Sequence, residues 1–219
     1  MSAILDAVAE QRLPAGAKLG EQALSDLFQC NRANVRRALA TLAAQNVVEL
    51  RPNRGAFVVT PSPQEARDVF QARRAIERTI ARQAASNAKP DDIAYLRENI
   101  LAESEAHRRA DKPTELRLTR QFHMYLAQIA GNHVLERFLS ELTMRSTLIL
   151  GIYSLSEHSC ASEAEHMRIV DALEAGDTGL LLELTDSHLR HLEAHLNFDI
   201  PQTAALSLQD QLFRHPIEA

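Results

Sequence analysis

Asn31-Arg32-Ala33-Asn34-Val35-Arg36-Arg37-Ala38-Leu39-Ala40-Thr41-Leu42 is the stretch whose reading decides the fold. Val35, Ala38, Leu39 and Leu42 recur at the spacing of one buried helix face. Asn31 is a good N-cap for that helix, and Arg32 and Arg36 fall one turn apart on its other side, with Asn34 and Arg37 beside them. Just upstream, Glu21 to Phe28 reads as a short helix that turns Leu24, Leu27 and Phe28 inward, and Gln29-Cys30-Asn31 is a tight link. Two helices joined by such a link, the second amphipathic and opening with arginines, meet the requirements of a helix-turn-helix that enters the DNA major groove. Arginine there can grip phosphate or pair bidentately with guanine, and the sequence leaves both roles open.

Working outward, Val47-Val48-Glu49-Leu50 and Gly55-Ala56-Phe57-Val58-Val59 flank Arg51-Pro52-Asn53-Arg54, a two-stranded hairpin with turn residues at its tip. It supplies a wing, with Arg54 and Gly55 where backbone can approach DNA closely. Two prolines in Thr60-Pro61-Ser62-Pro63 then block both helix and central strand. The expected division is a winged helix-turn-helix over 1–61, an all-helical domain over 62–200 and a tail over 201–219. Helices are expected near 64–86, 90–110, 114–131, 133–153, 160–175 and 178–197, broken at Lys89-Pro90, Lys112-Pro113, Gly131-Asn132 and Gly176-Asp177. In the tail, Leu206, Leu208, Leu212 and Phe213 are left to dock or to fray. The fold class is therefore mostly α: an N-terminal winged helix-turn-helix with a two-stranded wing, and a C-terminal helical bundle.

Bulk properties agree with that division. The 219 residues are 45% hydrophobic and 24% charged, which suits a globular protein and is too apolar for a disordered one. The net charge of −5 is unevenly spread: residues 1–61 carry +2, which leaves −7 on the remainder. A basic head on an acidic body fits a protein that touches DNA at one end. Cys30 and Cys160 are too few and too far apart for a disulfide framework or a cysteine zinc site. No apolar run approaches the roughly 18 residues of a membrane span, and no signal pattern opens the chain, so a cytoplasmic protein with no membrane partner is expected.

The head resembles the GntR family of regulators. The resemblance is carried by Leu13-Pro14-Ala15-Gly16, Leu19-Gly20-Glu21, the run from Asn31 to Leu39, Asn46-Val47-Val48 and Asn53-Arg54-Gly55. It implies that Arg32, Arg36 and Gly55 contact an operator. Asn34 stands where the family has proline and Arg37 where it has glutamate, so the operator is expected to differ from the common half-site. Asn31, Arg32, Asn34, Arg36, Arg37, Arg54 and Gly55 are the candidate DNA-binding residues.

In the body, three helices each point one histidine inward. His123 lies on a seam with Leu116, Thr119, Leu126 and Ala130; His166 shares a face with Ile169, Val170 and Leu173; His188 lies with Leu181, Leu184, Leu192 and His195. Facing helices of a bundle are where metal and ligand sites are built, and neutral imidazole suits zinc, nickel or iron. Satisfied core histidines are the competing reading. Arg73, on the stripe Val69, Arg73, Ile76, Ile80, Ala84, requires a partner, because a buried unpaired guanidinium is costly. Glu77, one turn on, and a carboxylate effector held bidentately are the two candidates.

Residues 64–198 resemble the FCD-type ligand-binding domain found in one branch of GntR regulators. The carriers are Arg73-Arg74-Ala75-Ile76-Glu77, Phe122-His123 with Gly131-Asn132, Glu165-His166 with 172–177, and Ser187-His188-Leu189. The resemblance implies that His123, His166 and His188 bind one divalent transition metal (Zn, Ni or Fe) and that Arg73 lies in a pocket for an organic acid. The family's fourth ligand is an aspartate at the position of Thr119. Two outcomes follow: a three-histidine metal whose open positions take water or an effector carboxylate, or a pocket without metal. Arg73, Thr119, His123, His166 and His188 are the candidate effector residues. His107, His133, His158, His191 and His215 are expected to be surface or spectator residues, and Glu165 to point away from the seam because it adjoins His166.

The function implied is a homodimeric, ligand-responsive regulator, a repressor, on a palindromic operator of double-stranded DNA. Its effector would be a small organic acid. The alternatives are a helical metalloenzyme using the three histidines, and an architectural DNA binder without a ligand.

Overall fold

The computed structural model describes residues 2–9, 12–44, 46–153 and 159–198. The tail over 201–219 and the histidines at 158 and 215 lie outside the described residues. The chain starts with α1 (Ser2–Ala9), β1 (Lys18–Leu19), α2 (Glu21–Leu27) and α3 (Arg32–Ala44). The hairpin β2 (Val48–Arg51) and β3 (Gly55–Val58) follows. Six helices complete the described chain: α4 (Pro63–Asn87), α5 (Pro90–Arg108), α6 (Lys112–Ala130), α7 (His133–Tyr153), α8 (Ser159–Glu174) and α9 (Thr178–Ala194).

The turn between α2 and α3 forms as its residues dictate. Gln29 takes the left-handed conformation (φ 47°), and the Asn31 side chain accepts from the backbone N–H of Asn34 at 2.8 Å to cap α3. Val35, Leu39 and Leu42 are buried, while Arg32, Asn34, Arg36 and Arg37 are exposed. Across the hairpin, Val48 pairs with Val58 and Arg51 with Gly55. Gly55 sits at φ 97°, where a side chain would be strained. The sheet has three strands in the order β1-β3-β2, because Lys18 and Leu19 pair with Phe57 and Ala56. This third strand escaped the sequence reading because two residues are too short to show an alternation.

The six body helices fall close to their expected bounds. Ser62 caps α4 by accepting from the N–H of Glu65, with Pro63 in the first turn. Asp111 and Asp177 cap α6 and α9 in the same way. Gly131 ends α6 in the left-handed conformation at φ 70°. In the bundle, α4 packs against α6, α7 and α9, while α5 packs against α6 and α8. Its core runs through Ile80, Leu96, Ile100, Phe122, Leu126, Leu139, Val170 and Leu181.

Head and body share packing. Met144 and Leu148 of α7 belong to the same buried cluster as Ile4, Ala7 and Val8 of α1, Leu24 of α2 and Leu39 of α3. Arg145 of α7 pairs with Glu65 of α4, and the Tyr153 hydroxyl donates to the carbonyl of Pro61 at 2.8 Å. Among the described residues, no helix is long and apolar enough to cross a membrane.

Leu148 is 2% exposed, so Leu148→Ala should cost about 2–5 kcal/mol of unfolding free energy, read from urea denaturation. A cost under about 1 kcal/mol would show that this seam between head and body is not packed as described.

Candidate functional site

The exposed face of α3 presents Arg32, Asn34, Arg36 and Arg37 together, and Arg54 and Gly55 are exposed at the hairpin tip. Two of the arginines are held from α2. Arg36 Nε donates to Glu21 Oε2 at 2.7 Å, and Arg32 donates to Gln22 Oε1, with Nε at 2.6 Å. Arg37 leans on Asn34 Oδ1 at 3.3 Å. Arg51 and Arg54 lie over the Phe57 ring at 4.4 and 6.0 Å from its centroid. Asn31 differs from its neighbours, since its side chain is engaged in capping.

The second site is buried. His123 of α6, His166 of α8 and His188 of α9 bring one ring nitrogen each to within 4.8 Å of one another. All three are closed to solvent, at 3%, 0% and 1% exposure. Their other nitrogens explain the convergence. His123 Nδ1 lies 2.7 Å from Glu77 Oε2, His166 Nδ1 3.0 Å from Glu103 Oε2, and His188 Nδ1 2.7 Å from Glu165 Oε2. A carboxylate accepts from an imidazole N–H, so each ring is held with Nδ1 protonated and the Nε2 lone pair facing the centre. His166 Nε2 and His188 Nε2 are 3.3 Å apart, and the buried His123 Nε2 has no hydrogen-bond partner among the described residues.

The electrostatics favour neutral rings at His123 and His188 and charged acids beside them. Burial pushes His188 down to about 3, against the pull of Glu165. Burial likewise pushes His123 down, opposed by Glu77. Burial would raise Glu77, but the charge of Arg73, with help from His123, holds it at about 2. Glu103 and Glu165 are also held below the usual carboxylate range, against burial, by His166 in the first case and by His188 and His191 in the second.

Arg73 meets the first of the two partners left open by the sequence. Its Nε donates to Glu77 Oε1 at 2.7 Å and its Nη1 to Ser146 Oγ at 3.0 Å, so Glu77 is its partner. Its Nη2 is buried with no partner among the described residues and can still take an anionic oxygen. Glu77 therefore joins the guanidinium to the His123 ring.

Two expectations need correction. Glu165 does not point away from the seam: a side chain one residue from His166 reaches across to α9, where it holds both His188 and, at 2.5 Å, His191 Nδ1. His191 is accordingly part of the network rather than a spectator. The Thr119 hydroxyl donates to Glu103 Oε1 at 2.6 Å. Glu77 and Glu103 were missed as supports of the centre. For Glu103 the signal was present, since Leu96, Ile100 and Glu103 share the buried face of α5 at helical spacing.

A pH dependence follows for protein stripped of metal. Below the ordinary imidazole value of 6.5 the unfolded chain takes up protons that His188 and His123 refuse when folded, so stability falls toward pH 3. Glu77 adds a second loss as the pH falls from 4.5 toward 2. Thermal melts in chelator should show His188→Gln with a shallower loss between pH 6.5 and 4.5 than the native chain. Equal slopes would contradict the assignment.

Comparison with known proteins places this geometry. The model for bacterial regulatory proteins of the gntR family matches residues 2–58, and that for the FCD domain matches residues 68–191. The HTH-type transcriptional repressor RspR of Escherichia coli K12 is 28% identical over 180 residues, spanning 81% of this chain and 78% of its own. The HTH-type transcriptional regulator LutR of Bacillus subtilis is 24% identical, spanning 83% of this chain and 92% of its own. Among solved structures, E. coli McbR/YncC superposes with a TM-score of 0.77 at 18% identity, over 85% of this chain and 90% of that one. A GntR regulator from Rhodococcus sp. RHA1 gives 0.77 at 22% identity, over 88% and 93%. These two structures support the fold, and the relatives are transcriptional regulators rather than enzymes. The chain belongs to the GntR family of DNA-binding transcription regulators, with an FCD domain as its helical body.

Proposed function

We propose that this regulator is a repressor whose helical body binds a small carboxylate effector at a divalent metal held by His123, His166 and His188. The observation that carries the reading is the convergence of three carboxylate-backed Nε2 atoms in a dry interior, with His123 Nε2 unpartnered. Lone pairs gathered this way repel one another unless a cation lies among them. Three neutral imidazoles suit zinc, nickel or iron, and they leave a coordination position open. A bound ion supplies a Lewis-acidic point for a carboxylate oxygen. Arg73 Nη2 supplies the second contact that an organic acid needs, and Glu77 keeps that guanidinium fixed.

On the DNA side, the reading is a homodimer that sets two heads on a palindromic operator. Arg32, Asn34, Arg36 and Arg37 present the α3 face to the major groove, with Arg54 and Gly55 in the wing beside it. Asn31 acts by holding the first turn of α3. The head and body are expected to divide at the Pro61–Pro63 segment, as the composition indicates.

Elemental mass spectrometry of untagged protein purified without chelator should find about one transition-metal ion per chain, lost in His123→Ala. Absence of metal from the native chain would overturn the metal reading and leave Arg73 as the anchor of the effector. Independently, Arg36→Ala should weaken operator binding and reduce its salt dependence by about one unit of log–log slope, measured by fluorescence anisotropy. Unchanged curves would remove Arg36 from the contact surface.

A further inference from the structure

Glu103 is 3% exposed on α5, and among the described residues no arginine or lysine pairs with it. Both of its oxygens are committed. Oε1 accepts from the Thr119 hydroxyl at 2.6 Å, and Oε2 faces His166 Nδ1 at 3.0 Å. A carboxyl group that only accepts is ionised. That charge lies in the interior with the Thr119 hydroxyl and the His166 Nδ1–H as its hydrogen-bond donors. Only the His166 ring separates this carboxylate from the point where the three Nε2 atoms converge.

We propose that Glu103 is the positioning residue that tunes this centre for a divalent cation, acting on the ion through the His166 ring and anchored by Thr119. The inference rests on the metal reading above. It follows from the charges gathered around the three rings. Glu77, Glu103 and Glu165 back the three rings and Arg73 pairs with Glu77, so the carboxylates at the centre outnumber the guanidinium. A cation among the rings offsets that excess. Glu103 adds to it and also fixes which nitrogen of His166 turns inward. Charge that would otherwise sit on an acidic ligand is thus carried one bond network further out.

Glu103→Gln separates charge from contact. The glutamine carbonyl can accept from His166, while its amide donates to Thr119. The Thr119 hydroxyl then turns to the Glu115 carbonyl oxygen, 3.0 Å away. The substitution therefore keeps the hydrogen bonds and removes the charge. Zinc affinity, measured by competition with a chromophoric chelator, should fall about 10–100-fold. The same variant in EDTA should still melt cooperatively, so that the loss is read on the bound ion and not on the fold. Glu105→Gln makes the same charge change on the same helix, at a residue paired with Arg108 and Arg109 near the surface, and should leave zinc affinity unaltered. Equal zinc affinity in native and Glu103→Gln protein would overturn the proposal while leaving the metal reading intact. A variant that no longer melts cooperatively in EDTA would also overturn it, because Glu103 would then be a prop for the fold. Native protein that takes up no zinc would overturn the metal reading itself, and this proposal with it.

Discussion

Three imidazoles cannot turn their lone pairs toward one point in a dry interior without something behind each ring to hold it there. In this chain the holders are carboxylates drawn from three helices: Glu77 on α4, Glu103 on α5 and Glu165 on α8. Together with the rings on α6, α8 and α9, they tie five of the six body helices to one polar centre. Around it the bundle is apolar, with Phe122 stacked on His166 at 4.1 Å between ring centroids. The arrangement concentrates negative charge where the dielectric is low, and that concentration is what a cation would relieve.

The sixth helix, α7, connects this centre to the DNA-binding head. Ser146 accepts from Arg73, while Met144 and Leu148, two residues to either side, are packed into the head's core with α1. Arg145 between them pairs with Glu65 at the start of α4. The same two turns of α7 therefore touch the guanidinium proposed to receive the effector and the cluster that supports α3. Any ligand can shift the head only as far as it distinguishes between two arrangements of these contacts.

Much of this was legible in the sequence because it is local. The α3 face, its Asn31 cap, the helix breaks at Pro90, Gly131 and Asp177, and the inward histidines all follow from spacing within one helix or turn. Arg73 was correctly read as needing a partner, and Glu77 was one of the two candidates. What could not be read was reach across helices. Glu165 was assigned by its angular place next to His166, yet a glutamate is long enough to turn from that place onto α9. Thr119 was taken as a loss of charge within α6. The compensating carboxylate, Glu103, comes from α5 sixteen residues earlier, and a search along one helix does not find it. β1 was missed for a different reason: its two residues are defined by pairing with β3, not by their own pattern.

The most direct test of the central claim is anomalous diffraction from crystals grown with zinc, collected on both sides of its absorption edge. The account predicts one strong peak per chain, about 2.0–2.1 Å from Nε2 of His123, His166 and His188, with the three Nδ1 atoms still on their carboxylates. Density showing the three rings hydrogen-bonded to one another or to water, with no anomalous peak among them, would contradict it.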